Sequence, residues 1–559
     1  MATPLESPDL RSVQEARTLA RKAREGQKIL ADFSQEQVDR IVDAMAAAAR
    51  SQAERLARLA HEETGFGNVK DKTTKNLFCS TEVLAYIRPL KTVGILREDA
   101  VTGVVEIAEP MGVVAAIIPS TNPTSTAIHN ALIAIKARNA VVLSPHPSAR
   151  RCILETTAVM HAAAVGAGLP SDALACMTEV TLEGTQELMR CRDVAVILAT
   201  GGTGLVRAAY SSGKPAYGVG PGNVPAYIEK TADVKKAVRD VMSGKTFDYG
   251  TLCSSEQAIV CDQAISDQVV AEVKANGGYF LNEAETAAVS KVVVTPQRLA
   301  NPEIVGKPAP YIAEKAGIKV PPETRVLVAP LAGVGRDFPL SIEKLSPVLA
   351  FYVVKDWHEG CERCLQLLRY GGTGHTLGIH SRDDAVIREF AFKKPVYRIV
   401  ANTQTSMGAT GYTTGLAPSM SLGCGAYAGN ITSDNITPLH LINIKRLAYE
   451  RRLAHERPPV GAGPKGAAGS LQDKVEAFLD SRLPRPSATA AGPAAPAGPG
   501  PSAPPDGAPL DFVCEDDVRR ALREGRILRV SAKAIVTPAA RDLASGTTVL
   551  GLALDERPS

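Results

Sequence analysis

The chain has no long apolar run. Its most hydrophobic stretch, around Gly112 to Ile118, is far too short to cross a bilayer. Met1 to Gly26 is charged and polar and has no apolar leader core, so no secretory leader is expected. Charge of one sign is equally scarce. A formal net charge of +4 over 559 residues, with no basic stripe interleaved with aromatics, leaves no footprint for nucleic acid. The ten cysteines lack paired metal-ligand spacing. Cys361 and Cys364 form one C-x-x-C, but no second such pair completes a zinc site. These absences predict a cytoplasmic chain with reduced thiols, no membrane span, no metal and no nucleic-acid partner.

What is present is a large globular chain. Hydrophobic residues make up 45% and charged residues 22%, enough for several domains around a sizeable core. Residues 11 to 60 carry Ala and Leu at helical spacing among Arg, Lys, Gln and Glu. Gly94 to Ile107 alternates like a hairpin, with its turn near Asp99 to Gly103. From 111 to 230 short apolar runs alternate with helical segments, and Val113 to Ile118, Ala140 to Leu143 and Val194 to Leu198 are the expected strands. A second alternating stretch runs from about 240 to 425, and Thr437 to Lys445 reads as a further strand. The pattern predicts an α/β fold with parallel sheets.

Two separated motifs carry chemistry. In Phe247-Asp-Tyr-Gly-Thr-Leu-Cys-Ser-Ser-Glu-Gln257 a thiol, Cys253, lies just past a glycine and before an apolar segment. Far upstream, the apolar run Val113 to Ile118 ends in Pro119-Ser-Thr-Asn-Pro-Thr-Ser-Thr126, where Asn122 offers a side-chain amide. A thiol with a lowered pKa and an amide donor are the minimum equipment for adding a nucleophile to a carbonyl and holding the resulting oxyanion. A third motif, Val194 to Leu198 followed by Ala-Thr-Gly-Gly-Thr-Gly204 and a helical pattern, has the order of a pyrophosphate site, although its glycine spacing is not G-x-G-x-x-G.

These segments resemble the aldehyde dehydrogenase superfamily, and within it the acylating, coenzyme A-dependent branch. The aldehyde dehydrogenase half of bifunctional aldehyde/alcohol dehydrogenases and the aldehyde dehydrogenases of bacterial microcompartments are similar over about residues 10 to 450. The resemblance implies a Rossmann-like nicotinamide-binding domain (1–91 and 110–235), a catalytic domain (236–433) and a β-flap for oligomerisation (92–109 and 434–450). Such a flap implies a homodimer or a dimer of dimers. It also implies that Cys253 captures the aldehyde, with Asn122 and the Cys253 N–H holding the oxyanion.

By the same resemblance, Ser144, His146 and Pro147 meet the adenosine ribose, Gly201, Gly202 and Thr203 form the phosphate turn, and Glu343 holds the nicotinamide ribose. Relatives often carry a lysine where Ser144 to Pro147 stand, so the choice between NAD and NADP stays open, with NAD expected. Hydrolytic relatives carry a base glutamate in a Glu-Leu-Gly-Gly run. The matching place here is Tyr217-Gly-Val-Gly-Pro-Gly-Asn-Val-Pro225, with Gly218 at the carboxylate position and Val219 and Gly220 beside it. Without that base the thioester is expected to wait for coenzyme A. Glu256, three residues from Cys253, is the weaker alternative for a base. His375, in Gly371-Gly-Thr-Gly-His-Thr376, is expected either to activate coenzyme A near neutral pH or to be a loop histidine. The expected reaction is a short-chain aldehyde (propionaldehyde or acetaldehyde) plus CoA and NAD⁺ to acyl-CoA. A reductase acting on an acyl phosphate and a catalytically dead microcompartment scaffold are the alternatives.

After Arg457 the composition changes. Ser470 to Leu483 places Leu471, Val475, Phe478, Leu479 and Leu483 on one helical stripe. Residues 484–510 are dominated by Pro, Ala and Gly and read as a linker, followed by a short module at 511–545. The whole of 458–559 is expected to be a flexible extension. Its helix is similar to the peptides that recruit enzymes to microcompartment shells, which would put the enzyme in such a lumen.

Overall fold

Runs of β-branched residues flanked by glycine and proline become strands, and the Ala-rich amphipathic segments between them become helices. The computed structural model describes residues 7–452, 510–545 and 547–552. The chain divides into two units, Met1–Ala454 and His455–Ser559.

The first unit opens with helices. Pro8–Leu30 buries Ala16, Ala20, Ala23 and Leu30 along one stripe, and Gln35–Ser51 starts from a reciprocal Ser34/Gln37 capping box. Then β1 (Gly94–Asp99) and β2 (Val104–Pro110) pair antiparallel. Their turn is closed by the Asp99 carboxylate, which accepts from the Val101 and Thr102 N–H groups, and by Gly103 at a φ of 67°.

A parallel sheet follows, made of β3 (Val113–Ile118), β4 (Ala140–Pro145), β5 (Leu174–Cys176), β6 (Val196–Thr200) and β7 (Ala216–Val219), in spatial order 5-4-3-6-7. It is buried on both faces, as parallel sheets are. The helix Pro123–Lys136 is buried at every residue. Each of its wholly covered side chains, such as Ile128, Leu132 and Ile135, contributes about 1.5–3 kcal/mol of burial.

The second parallel sheet comprises β8 (Val224–Ile228), β9 (Glu256–Asp262), β10 (Gly278–Phe280), β11 (Val326–Pro330), β12 (Val348–Val354), β13 (Gly374–His380) and β14 (Val396–Ala401), in order 10-11-12-9-8-13-14. Finally β15 (Ile442–Ala448) returns to pair antiparallel with β2, completing a three-stranded ribbon. The sequence pattern puts this strand five residues early. Thr437 and His440 instead cap a 3₁₀ turn over Pro438–Leu441. The sequence pattern also puts the change of domain near 235. In the structure it falls at Gly220–Asn223, between β7 of one sheet and β8 of the other, so β8 and the helix Val234–Thr246 belong with the second sheet.

The second unit, taken by itself, contains β16 (Leu510–Val513), β17 (Leu528–Val536) and β18 (Leu550–Leu552) as a parallel sheet, with helices Glu515–Glu524 and Pro538–Ala544. Val513, Val518, Ala521 and Ala540 form its core. The stripe at 470–483 and the Pro/Ala/Gly segment lie outside the described residues.

Candidate active site

Strand order fixes where a ligand can go. In the five-stranded sheet the chain runs outward from β3 through β4 and β5, then returns to the other side as β6 and β7. The carboxyl ends of β3 and β6 therefore diverge and leave a crevice. A cavity of about 440 Å³ lies there. Ile117 to Asn122 after β3, Pro145 to Pro147 after β4 and Thr200 to Gly202 after β6 form one side. Val219 to Pro221, Thr251, Cys253, Glu343 and Leu345 form the other.

The cavity thus gathers Cys253, Asn122, His146, Pro147, Gly201, Gly202, Val219, Gly220 and Glu343 from the sequence-predicted set. Four others are not among its lining residues. Ser144 is fully buried behind the wall, its hydroxyl sharing a 2.9 Å hydrogen bond with the lining residue Thr185. Thr203 is exposed at the first turn of the helix Thr203–Tyr210. Gly218 is inside β7, and a Cβ there would point at Tyr210 Oη (2.5 Å) and Val206 Cγ1 (2.7 Å). His375 is not in a flexible loop: it is the second residue of β13 and fully buried. Burial and the nearby Arg398 push its imidazole down to about 3. That direction is away from the titration near neutrality expected from its motif.

Asn122 ends the turn after β3. Pro123, at the first helical position, needs no N–H partner, and the Asn122 side chain does not cap the helix. Instead its Oδ1 accepts from Lys75 Nζ at 2.7 Å, and its Nδ2 donates to Thr121 Oγ1 at 3.1 Å and the Thr251 carbonyl at 3.4 Å. Lys75 and Lys72 both donate to the Asp248 carboxylate, which also accepts from Thr251 Oγ1 and the Asn68 N–H. Asp248 and Tyr249 hold φ values of 47° and 52°, a conformation that aims this carboxylate inward just before the nucleophile's turn.

Cys253 is half-buried in the resting structure. Burial, then the Glu343 carboxylate, then Cys424 push its thiol up to about 12, against the pull of Arg398 and its own N–H. The resting side chain is therefore a thiol, contrary to the lowered pKa its motif suggested. Glu343 accepts from the Gly222 N–H at 2.9 Å. Burial pushes its carboxyl up to about 7, while Gly222, Lys245 and Lys344 pull the other way. Glu256 is fully buried on β9, accepts from the Thr405 N–H at 2.6 Å and does not line the cavity.

The chain is similar to proteins of known activity. Residues 4–278 match the model of the aldehyde dehydrogenase family. An acetylating succinate-semialdehyde dehydrogenase of Clostridium kluyveri is 38% identical over 431 residues, covering 77% of this chain and 95% of that protein. The chain belongs to the aldehyde dehydrogenase family.

Within the family it sits with the acylating members. Aldehyde-alcohol dehydrogenase 2 of Entamoeba histolytica is 45% identical over 430 residues, 75% of this chain and 49% of that protein. The chain spans about half the length of such bifunctional relatives. Among solved structures, an acetylating aldehyde dehydrogenase from Geobacillus thermoglucosidasius matches with a TM-score of 0.80 and 53% identity, over 81% of this chain and 100% of that one. A propionaldehyde dehydrogenase from a Clostridium phytofermentans fucose-utilisation microcompartment has a TM-score of 0.70 at 28% identity, over 78% and 97%. One from Rhodopseudomonas palustris, with CoA bound and a cysteine acylated, has a TM-score of 0.70 at 25% identity, over 78% and 97%.

Several contributors are invisible in the sequence. Lys72 and Lys75, in the polar helix Val69–Phe78, look like a solvated face, yet each is 2% exposed. Lys245 and Arg398 are likewise buried behind the site. No sequence signal separates such lysines from surface ones. Among the described residues no group of three or more His, Cys, Asp and Glu side chains is placed to hold a metal, and no helix is long and apolar enough to cross a membrane. Cys361 and Cys364 are buried on the helix Trp357–Gly371, where Cys361 accepts from Lys394.

Proposed function

We propose that the chain converts a short-chain aldehyde, CoA and NAD⁺ to acyl-CoA, NADH and a proton through a thioester on Cys253. The observation that carries this reading is a single cavity that holds Cys253 and Asn122 together at the carboxyl ends of β3 and β6. It is supported by the R. palustris neighbour, whose cysteine is acylated with CoA bound.

The cavity also fits a nicotinamide dinucleotide. Gly201 and Gly202 line the cavity and precede the helix Thr203–Tyr210, and a Cβ on Gly202 would meet nothing within 4 Å, which leaves room for a phosphate at the helix start. Gly201, Gly202, His146 and Pro147 would hold the phosphates and adenosine ribose, and Glu343 the second ribose. When bound, the dinucleotide supplies the hydride acceptor. Cys253 loses its proton on attack, and its sulfur bonds the carbonyl carbon. The oxygen takes the negative charge against Asn122 Nδ2 and the Cys253 N–H. Loss of hydride leaves the thioester, and the CoA thiol then displaces Cys253, its proton passing to the departing Cys253 sulfur so that the resting thiol is restored.

Water is a poor competitor because the link after β7 reads Gly220-Pro-Gly-Asn223 and carries no carboxylate. Among the described residues, Glu343 is the one carboxylic acid lining the cavity, and it is tied to Gly222. NAD is preferred over NADP in this reading. The ribbon of β1, β2 and β15 pairs subunits, and residues 470–483 recruit the enzyme to a microcompartment shell, as the origin of the C. phytofermentans neighbour suggests.

The test follows NADH absorbance with propionaldehyde and NAD⁺ or NADP⁺, with CoA, phosphate or neither. Sustained NADH formation only with CoA is expected. Dependence on phosphate would convert the reading to an acyl-phosphate enzyme, and silence in every condition would leave a non-catalytic scaffold. A fluorescent protein fused to residues 458–490 should form puncta in shell-producing cells and lose them with Leu479→Asp; diffuse fluorescence despite assembled shells would remove the targeting role.

A further inference from the structure

We infer that Lys75 is a positioning residue for the oxyanion donor: its buried ammonium fixes which end of the Asn122 amide faces the nucleophile. The inference rests on the role proposed above for Cys253 and Asn122.

An asparagine amide has two ends of nearly equal shape. One accepts hydrogen bonds and the other donates. Only the donating end stabilises an oxyanion, so a flipped amide would present a carbonyl oxygen and repel it. Something must distinguish the two ends. Lys75 Nζ is 2.7 Å from the amide oxygen, and an ammonium can only donate. The atom facing Lys75 is therefore the oxygen, and the NH₂ group is turned toward Thr121 Oγ1 and the Thr251 carbonyl, two residues before Cys253. The contact is dry, because Lys75 is 2% and Asn122 7% exposed. The Asn122 side chain makes no cap to the helix it precedes.

Lys75 is itself held. It donates to Asp248, whose carboxylate also receives Lys72 and Thr251 Oγ1. Gly67 makes room for that carboxylate: a Cβ at Gly67 would fall 1.8 Å from Asp248 Oδ1. The assembly buries two ammonium groups against one carboxylate beneath the oxyanion site. An ion pair alone would need only one lysine. Lys72 is as buried as Lys75 and shares the same carboxylate, but its other contact is the Thr121 carbonyl at 3.2 Å rather than the Asn122 amide. It is the natural control.

The experiment is a double-mutant cycle on the first turnover. The rate of the NADH burst is measured by stopped flow with propionaldehyde and NAD⁺, without CoA, so acyl transfer does not enter. Lys75→Gln is expected to slow the burst about 100-fold, the usual cost of losing one oxyanion donor. In an Asn122→Ala background it is expected to cost less than about threefold, because there is no amide left to orient. Lys72→Gln should instead act independently of Asn122→Ala. Alkylation of Cys253 by iodoacetamide, a displacement that forms no oxyanion, should change less than about threefold in Lys75→Gln.

Full additivity of Lys75→Gln with Asn122→Ala in an active enzyme would overturn the inference, as would equal coupling for Lys72. If Lys75→Gln does not fold, Lys75→Met, which also removes the donor, takes its place in the same cycle, and full additivity there would overturn the inference equally. A wild-type enzyme with no burst at all would remove the functional reading, and this inference with it.

Discussion

Gly222→Ala should disable the enzyme through a single methyl group that never touches substrate. A Cβ built on Gly222 would stand 2.2 Å from the carbonyl oxygen of Cys253 and 3.1 Å from the His375 ring. Carbon and oxygen atoms make ordinary contact near 3.5 Å, so the two backbones must part by roughly 1 Å. His375, fully buried, crowds the same Cβ and has little room to give way. The displacement falls on Cys253 itself, whose carbonyl and thiol belong to one residue, and on the Gly222 N–H that holds Glu343. A misplacement of about 1 Å costs about 100-fold in rate, or roughly 2.7 kcal/mol of activation free energy. Overpacking should also cost roughly 1–3 kcal/mol of stability. The assay is the stopped-flow NADH burst, with thermal melting run alongside. Gly166→Ala, where a Cβ meets nothing within 4 Å, is the control and should leave both unchanged or raise the melting point slightly. A Gly222→Ala enzyme whose burst stays within about threefold of wild type would refute the reasoning.

Cys253→Ala should abolish the burst, by a factor on the order of 10⁴ or more, and intact-protein mass spectrometry with aldehyde and NAD⁺ should show no acyl adduct; retention of a tenth of the rate would exclude it as nucleophile. Glu343→Gln removes a negative charge that pushes the Cys253 thiol up. Its thiol pKa should fall, so iodoacetamide alkylation at any pH between about 7 and 9 should be faster than in wild type, and an unchanged or slower rate would contradict the electrostatic account. Gly218→Glu should destabilise the fold rather than restore hydrolysis, because its Cβ points into Tyr210 and Val206; CoA-independent acid release from a stable Gly218→Glu protein would show that the carboxylate does reach the cavity.

The fold is legible where periodicity is strong. The hairpin at 94–110 and strand Val113–Ile118 are where the alternation and the apolar run put them. The Val194 to Leu198 run is a strand shifted by two residues, and the change of sheet occurs more than ten residues before the expected boundary. Boundaries of this kind depend on which neighbour a strand pairs with, and a single sequence does not encode that locally. The site is legible as a set of chemical types. Cys253 and Asn122 meet in one cavity, but Thr203 faces solvent and Ser144 and Gly218 are one layer behind. The largest departure is electrostatic. The motifs suggest neutral-pH behaviour for a cysteine and a histidine, yet burial drives the thiol up to about 12 and the imidazole down to about 3. Desolvation is a property of the assembled fold. For the same reason the buried group of Lys72, Lys75 and Asp248 leaves no mark in the sequence pattern.

The four residues Gly220 to Asn223 carry the chain from one parallel sheet to the other, and the second half of the link is closely held. The Gly222 N–H holds Glu343, and its α-carbon abuts Cys253 and His375. The Asn223 amide donates to the Ser341 and Leu367 carbonyls at 2.8 and 2.9 Å, while Gly372 packs on the Asn223 backbone with no room for a side chain. Loops in most folds absorb insertions with little harm, and this one should not. In a library of single-codon insertions and deletions, the turn at Asp99–Gly103 should tolerate length changes that residues 220–223 reject altogether. The length of this joint is thus a fixed dimension of the enzyme, and diversity in substrate preference has to arise from the cavity walls around it.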